Sequence, residues 1–330
     1  MLYFIINLKS RAGKGAGIIK RLEKTLTERG INYRIYLTRK AGDAAVFASK
    51  LSGGPKKRTV IVLGGDGTLN EFLNGLKHPE NICLGYIPLG SGNDFARGMK
   101  ISKNIEKEMG RILDAVDSAG AGASGATGVS GASSADGTLK VAHKKLDFGV
   151  LHCPDGTSKR FFVSCGVGYD AKVCVKVEQS RLKPLLNRIG LGKLIYLILG
   201  LRYLINAETY HATLTLDGED VLSGDQFLFV SWQNQPYEGG GFYFSPKAVA
   251  NDGFLDVCVA KGIPKWKIPF IIPLAKFGFH TRCKGVYQFR CKEAVIFSDQ
   301  KNYVHTDGET RKNMQELHIE VVPAAIEFLQ

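Results

Sequence analysis

The chain has 330 residues, 44% of them hydrophobic and 23% charged, with a formal net charge of +13 at pH 7. That length and balance exclude a disordered chain and fit two packed domains of ordinary size, and the charge calls for an anionic partner such as a nucleotide or an acidic lipid surface. The seven cysteines, odd in number and without a C-x-x-C pair, argue against a zinc site or a disulfide framework and for buried thiols in a reducing cytosol.

The first third alternates strand and helix. Leu2 to Asn7 is apolar but short and lacks a basic leader, so it reads as a strand rather than a secretion signal. Ala16 to Arg29 reads as a helix, Tyr33 to Leu37 as a strand, Asp43 to Leu51 as a helix, Thr59 to Leu63 as a strand, Leu69 to Leu76 as a helix and Ile82 to Ile87 as a strand. This rhythm predicts a parallel sheet with helices on both faces, whose ligand lies at the carboxyl ends of the strands. Residues 118–138 are almost entirely Ala, Gly and Ser. They cannot bury enough surface to offset their ordering entropy, so they read as a flexible insertion without a catalytic role.

Short strands follow: Lys140 to Val150, Arg160 to Cys165, Tyr210 to Leu216, Asp225 to Trp232, Phe254 to Ala260, Gly285 to Arg290, Ala294 to Ser298 and Tyr303 to Thr306. Gly, Asp, Asn and Pro turns separate them, which predicts a mainly antiparallel sandwich. Arg188 to Leu204 and Lys265 to His280 read as helices, apolar with basic residues mixed in. No apolar run reaches the length of a membrane-spanning helix; the longest is Leu194 to Leu201.

The most informative string is Gly64-Gly65-Asp66-Gly67-Thr68, between a strand and a helix. Its glycines let the backbone turn sharply and approach a ligand. Asp66 would repel a phosphate directly but can hold it through a divalent cation, which needs hard oxygen ligands. The loop after the first strand, Asn7 to Gly15, carries three cations at a helix start, which suits a polyphosphate. It lacks Walker A spacing. In Pro88 to Arg97, Gly90 and Gly92 again permit close approach, Ser91 and Asn93 offer neutral hydrogen bonds, and Asp94 is a second candidate for metal or base work, although a helix cap explains it equally well.

Taken together these strings resemble the diacylglycerol kinase-like lipid kinase family in its bacterial soluble form. Gly64 to Glu71 matches its G-G-D-G-T-x-N-E loop, and Pro88 to Ala96 its P-x-G-[ST]-x-N-D-[FL]-A signature. Gly166 to Ala171 looks like its G-x-G-[FY]-D-A segment, Glu238 to Pro246 its G-G-G…P segment, and Asp307-Gly308-Glu309 its late D-G-E motif. The resemblance implies a three-layer α/β nucleotide-binding domain over residues 1–117, rejoined by 323–330, and a β-sandwich domain over 139–322, with the site between them. It implies transfer of the γ-phosphoryl group of ATP to the hydroxyl of diacylglycerol or a related lipid alcohol.

Residue roles follow from the same resemblance. Asn7, Ser10, Arg11, Thr38, Gly64, Gly65, Asp66, Gly67, Thr68, Leu69, Asn70 and Ser91 would line the nucleotide. Asp66 would hold Mg2+ through water, supported by Asp94, and either Asp307 or Glu309 would take the acceptor's proton. A structural metal site would use the Asp252 side chain with the carbonyls of Val249 and Phe254, where a plain Asp-Gly turn is the ordinary alternative. Leu8 and Arg11 depart from the family's usual Pro and Gly, which alters the first loop. Asp170 could serve only to fix a turn between the domains.

A lipid substrate requires docking at an anionic membrane surface, so a cytoplasmic protein bound peripherally to the inner face is expected. The basic ends of Arg181 to Arg188 with the helix-like run after it, and of Trp266 to Lys276, are the candidate contacts. An NAD kinase shares the Gly-Gly-Asp-Gly-Thr loop and is the enzymatic alternative; a noncatalytic nucleotide or lipid binder is the other. No nucleic-acid docking motif occurs, and exposed strand edges leave a homodimer open.

Overall fold

Aliphatic runs ending in glycine turns build the first half. The computed structural model describes residues 1–8, 15–121, 143–180, 198–200, 202 and 207–329. It opens with β1 (Leu2–Ile6), α1 (Gly15–Glu28), β2 (Tyr33–Leu37), α2 (Asp43–Ser52), β3 (Arg58–Gly64), α3 (Asp66–Gly75) and β4 (Ile82–Pro88). β1 lies parallel to β2 and β3, and β3 parallel to β4. In β3, Val60 and Val62 pack with Ala44, Ala48, Phe72 and Leu73, whereas Ile61 and Leu63 pack with Ile18, Leu22 and Leu26. One strand thus feeds two cores, with α2 and α3 on one face and α1 on the other, which is the three-layer arrangement expected from the sequence.

α4 (Asp94–Gly98) and α5 (Ile105–Ala121) come next. α5 was not among the predicted helices, although Met109, Ile112, Leu113 and Val116 recur at helical spacing and join the same core as α1. It runs to Ala121, past the point where the Ala/Gly/Ser stretch begins. The remainder of that stretch lies outside the described residues, as do Ser10, Arg11, residues 181–188 and most of the predicted helix after them.

The second half is β5 (His143–His152), β6 (Ser158–Phe161), β7 (Ser164–Gly168), α6 (Tyr169–Glu178), β8 (Tyr210–Leu216), β9 (Glu219–Gln233), β10 (Leu255–Lys261), α7 (Ile268–Ala275), β11 (Val286–Cys291), β12 (Glu293–Thr306) and β13 (Glu309–Leu329). Its strands pair antiparallel with one another around Phe161, Val230, Trp232, Val257, Ile296 and Leu317. Four predicted elements differ. Arg160 to Cys165 is two strands, because the backbone turns between them to face Asp307. Ala294 to Ser298 and Tyr303 to Thr306 are one strand, β12. The helix expected over Lys265 to His280 shrinks to α7, which begins beside Pro269, carries Pro273 inside it and is flanked by short 3-10 turns. Among the described residues no helix is long and apolar enough to cross a membrane.

β13 stitches the halves together. It pairs with β12 and β5, bends where Ala324 takes a φ of 50°, and then sets Glu327 and Phe328 parallel to Cys83 and Leu84 of β4. Asp147 holds that bend. Its carboxylate is buried and accepts the N–H groups of Ala324 and Gly253, both at 2.7 Å. These are charge-assisted bonds without competing water, so Asp147→Ala should lower the unfolding free energy by about 3 kcal/mol, read from urea midpoints. A change below roughly 0.5 kcal/mol would show that the bend holds without it.

Candidate active site

The β3–α3 and β4–α4 turns lie side by side at the carboxyl edge of the first sheet. A Cβ on Gly90 would stand 2.7 Å from the Gly65 Cα, so the two turns can meet only as glycines. Asp66 opens α3 and Asp94 opens α4. The Asp66 carboxylate accepts the N–H groups of Asp94 at 3.2 Å and Phe95 at 3.4 Å. Asp94 accepts the Gly240 N–H at 2.7 Å and pairs with Arg97 at 3.2 Å. Phe95 anchors α4, packing between Tyr86, Phe162 and Phe328 at ring separations of 5.2 to 5.7 Å. Burial and the adjacent Asp94 carboxylate, with a smaller contribution from Asp307, push the Asp66 carboxyl up to about 7.

Asp307 stands on the tight turn between β12 and β13, with a φ of 50°. One oxygen accepts the N–H groups of Val163 at 2.8 Å and Ser164 at 3.0 Å. The other accepts the Phe162 N–H at 3.0 Å and the Asn70 amide at 2.9 Å. Burial raises its pKa against these four donors. Glu309, exposed two residues on, faces the turn after β3: its Oε1 lies 3.6 Å from where a Gly67 Cβ would be. Asp66, Asp94, Asp307 and Glu309 line one cleft of about 300 Å³ with Gly65, Gly67, Ser91 and Gly240. Four separate sequence strings therefore form one acidic site.

Asn7, Thr38 and Thr68 line a neighbouring hollow of about 170 Å³ with Arg39, Lys40 and Glu71. The Asn7 amide donates to the Thr68 hydroxyl at 2.9 Å. Two residues expected at the nucleotide sit behind it. The Leu69 side chain belongs to the core, and the Asn70 amide is committed to Asp307 and to the Arg160 carbonyl at 3.2 Å. Gly64 closes β3, its carbonyl accepting the Tyr86 hydroxyl at 3.0 Å.

A further cavity of about 110 Å³ is lined mainly by apolar groups, including Leu228, Phe229, Phe242, Ile268, Ile272 and Val286. It meets the acidic cleft at Cys174, Glu238 and Gly239, which border both. Sequence reading passed over Glu238 and left Asp170 as a turn residue. The signal was present in the glycine strings flanking them, but nothing local says that the two carboxylates meet. At the Asp252 turn, one carboxylate oxygen accepts the Phe254 N–H at 3.1 Å and the other pairs with Arg290, whose guanidinium lies 4.3 Å over the Phe254 ring. Val249 is exposed. A cation there would have to compete with Arg290 for the Asp252 carboxylate.

Residues 1–121 match the diacylglycerol kinase catalytic domain, and residues 163–330 match the YegS C-terminal NAD kinase beta sandwich-like domain. The chain belongs to the diacylglycerol kinase-like lipid kinase family. It is 27% identical over 312 residues to YtlR of Bacillus subtilis (strain 168), a protein carrying a lipid-kinase name, with 93% of this chain and 92% of that one covered. It is 27% identical over 293 residues to a diacylglycerol kinase of Staphylococcus carnosus (strain TM300), covering 88% of this chain and 81% of that one. The fold is shared with a crystal structure of a diacylglycerol kinase from Bacillus anthracis, at 20% identity, a TM-score of 0.67 and coverage of 99% and 96%. It is shared more distantly with an NAD kinase from Archaeoglobus fulgidus in complex with ATP, at 14% identity, a TM-score of 0.53 and coverage of 100% and 94%.

The charge on Asp66 has a measurable cost in this family member. Its folded-state pKa of about 7 lies above the ordinary 3.8, so the stability contributed by the neutral acid is complete below 3.8 and is lost as pH rises through about 7. In metal-free protein, Asp66→Asn should therefore gain on wild type between about pH 4 and about pH 7, by at most about 4 kcal/mol and by less where water in the cleft screens the charge. Denaturant midpoints across that range measure it, and parallel profiles for the two proteins would refute the buried charge.

Proposed function

We propose that the protein is an ATP-dependent lipid kinase that transfers the γ-phosphoryl group to the hydroxyl of a lipid alcohol, of which diacylglycerol is the family's namesake. The observation that carries this reading is the adjacency of the two cavities: an acidic cleft between glycine turns and an apolar chamber share Cys174, Glu238 and Gly239 as a common wall. A water-soluble acceptor such as NAD has no use for that chamber, whereas an acyl chain gains roughly 0.8 kcal/mol per buried CH2.

In this reading the adenosine end of ATP lies by Asn7, Thr38 and Thr68, and its phosphates reach the amino end of α3, whose free N–H groups favour anions. The acceptor oxygen attacks the γ-phosphorus, the bond to the departing ADP oxygen breaks, and the acceptor's proton passes to a carboxylate. Asp307 has both oxygens committed to four donors, so Glu309 is the better proton acceptor of the two and Asp307 is a strut. Asp66 and Asp94 fit a divalent cation: they are hard oxygen donors in one cleft, and burial beside a second acid drives the Asp66 carboxyl up to about 7, a repulsion that a cation between the two would relieve. Mg2+ bound there would neutralise phosphate charge as the transition state forms.

ATP turnover with dispersed diacylglycerol and other lipid alcohols tests the reaction. Phosphorylated lipid should form with wild type and disappear on chelation by EDTA. Glu309→Gln should lower kcat by roughly a hundredfold or more, with ATP affinity kept. Phosphorylation of NAD in place of any lipid would overturn the reading.

The same geometry supports peripheral docking at an anionic bilayer. Trp266, Phe270 and Phe277 are 68%, 69% and 67% exposed around α7, and Lys265, Lys267, Lys276 and Arg282 stand among them. No residue from Val257 to Lys292 is acidic, while eight are Lys or Arg. α7 also turns Ile268 and Ile272 into the apolar chamber, so one element would touch both the bilayer and the substrate. Sedimentation with phosphatidylglycerol vesicles should recover wild type, and a Trp266→Ala, Phe270→Ala double variant should bind roughly tenfold more weakly. Equal recovery on phosphatidylcholine would remove the electrostatic part of this docking.

A further inference from the structure

A buried cluster that the phosphoryl-transfer steps above do not use stands where the apolar chamber meets the acidic cleft. His305, with no side-chain exposure, lies with its Nε2 3.0 Å from Glu238 Oε1 and 3.3 Å from Asp170 Oδ2. The other Glu238 oxygen accepts the Ser231 hydroxyl at 3.2 Å and the Gln233 amide, and Asp170 Oδ1 accepts the Ala171 N–H at 2.7 Å. A missing side chain makes the room: a Cβ on Gly166 would stand 2.0 Å from Asp170 Oδ2 and 2.5 Å from His305 Nε2. Burial favours a neutral Glu238, but His305 and the donors around it outweigh that and hold its carboxyl below the usual range. Burial raises Asp170. Glu238 is thus the charged partner that borders both cavities.

A lipid acceptor with its chain in the chamber and its reacting oxygen among Asp66, Asp307 and Glu309 must pass Glu238. Whatever the acceptor carries beside its reacting hydroxyl then lies against a carboxylate, which only accepts hydrogen bonds. An ester there offers acceptors alone and is repelled; a hydroxyl or an ammonium donates. The Ser164 hydroxyl, fully buried and lining the cleft, stands beside Glu238 and helps to hold its carboxyl below the usual range.

We propose that Glu238 selects acceptors bearing a second hydrogen-bond donor, a hydroxyl or an amine, beside the reacting hydroxyl, so that the substrate class is a long-chain diol or amino alcohol rather than a diester. Asp170 and His305 are positioning residues that hold Glu238 in place. The inference rests on the lipid-kinase reading of the same cleft and refines its acceptor.

Steady-state kinetics with 1-oleoylglycerol and its 2-O-methyl ether test it, because these acceptors share one chain and one terminal hydroxyl and differ in whether the neighbouring oxygen carries a hydrogen or a methyl group, with Glu238→Gln separating the donor from the added bulk. Wild type should favour the free diol by roughly tenfold to a hundredfold in kcat/KM, the range of one charge-assisted hydrogen bond, with most of the difference in KM. Glu238→Gln should bring the two acceptors within about threefold of each other, since an amide both donates and accepts. Asp170→Asn should weaken the preference less. If the Gln variant fails to fold, the wild-type comparison decides alone. Equal use of both acceptors by wild type, or a preference that survives in Glu238→Gln, would overturn the inference and leave the lipid-kinase reading standing. No turnover of any lipid would overturn both.

Discussion

Four hydrogen-bond donors converge on the Asp307 carboxylate, and the geometry of the cleft depends on them. Three are consecutive backbone N–H groups at the β6–β7 turn; the fourth is the amide of Asn70, 237 positions away along the chain. They join the amino-terminal part of α3, the β-rich half and the turn that carries Glu309. A carboxyl group, with about four lone-pair sites on two oxygens, can hold this many donors in a small space. Its position on a turn with positive φ costs backbone strain, which persists because the surrounding bonds over-determine it. Asp66 and Glu309 face one another because Asp307 holds the two halves together.

That closeness concentrates negative charge. Asp66, Asp94, Asp307 and Glu309 share one cleft, and burial makes their repulsion harder to screen. The structure answers with fixed donors: the N–H groups of Asp94 and Phe95 on Asp66, that of Gly240 on Asp94, and Arg97 beside it. These are enough to place the acids without neutralising Asp66. A site left short of positive charge suits the cation and polyphosphate of the proposed reaction.

Next to this charged cleft the chain builds the opposite environment. Strands β9 and β10 and helix α7 supply aliphatic and aromatic walls, while Trp266, Phe270 and Phe277 around α7 remain exposed. The two media share a narrow border at Cys174, Glu238 and Gly239. A carboxylate at such a border is costly unless it is paired. His305 provides that pairing, with Asp170 on the same imidazole nitrogen, and Gly166 leaves space for it. The border therefore discriminates chemically, since it welcomes donors and rejects acceptors.

The parts of this protein that were legible in the sequence are those whose chemistry is local. Gly64 to Glu71 and Pro88 to Ala96 each require a sharp turn at a strand end and an acid at a helix start, and those demands leave their mark on adjacent residues. The parallel first sheet and the antiparallel second half likewise follow from periodicity. Helix α5 was readable from Met109, Ile112, Leu113 and Val116, but neighbouring glycines and serines diluted its pattern. β13 was not readable at its full length, because Pro323 and Ala324 interrupt an alternation that only the pairing with β4, β5 and β12 sustains. Nor could the sequence assign Asn70 to Asp307, Asp147 to the bend at Ala324, or Glu238 to His305. In each case a polar side chain finds a partner more than sixty positions away, and the requirement that buried polar groups be satisfied acts through space rather than along the chain. By itself the sequence determined which turns, acids and hydrophobic periods the chain would have. The tertiary structure decided which acids share a cleft and which one guards its border, because burial and packing of distant segments set their separations.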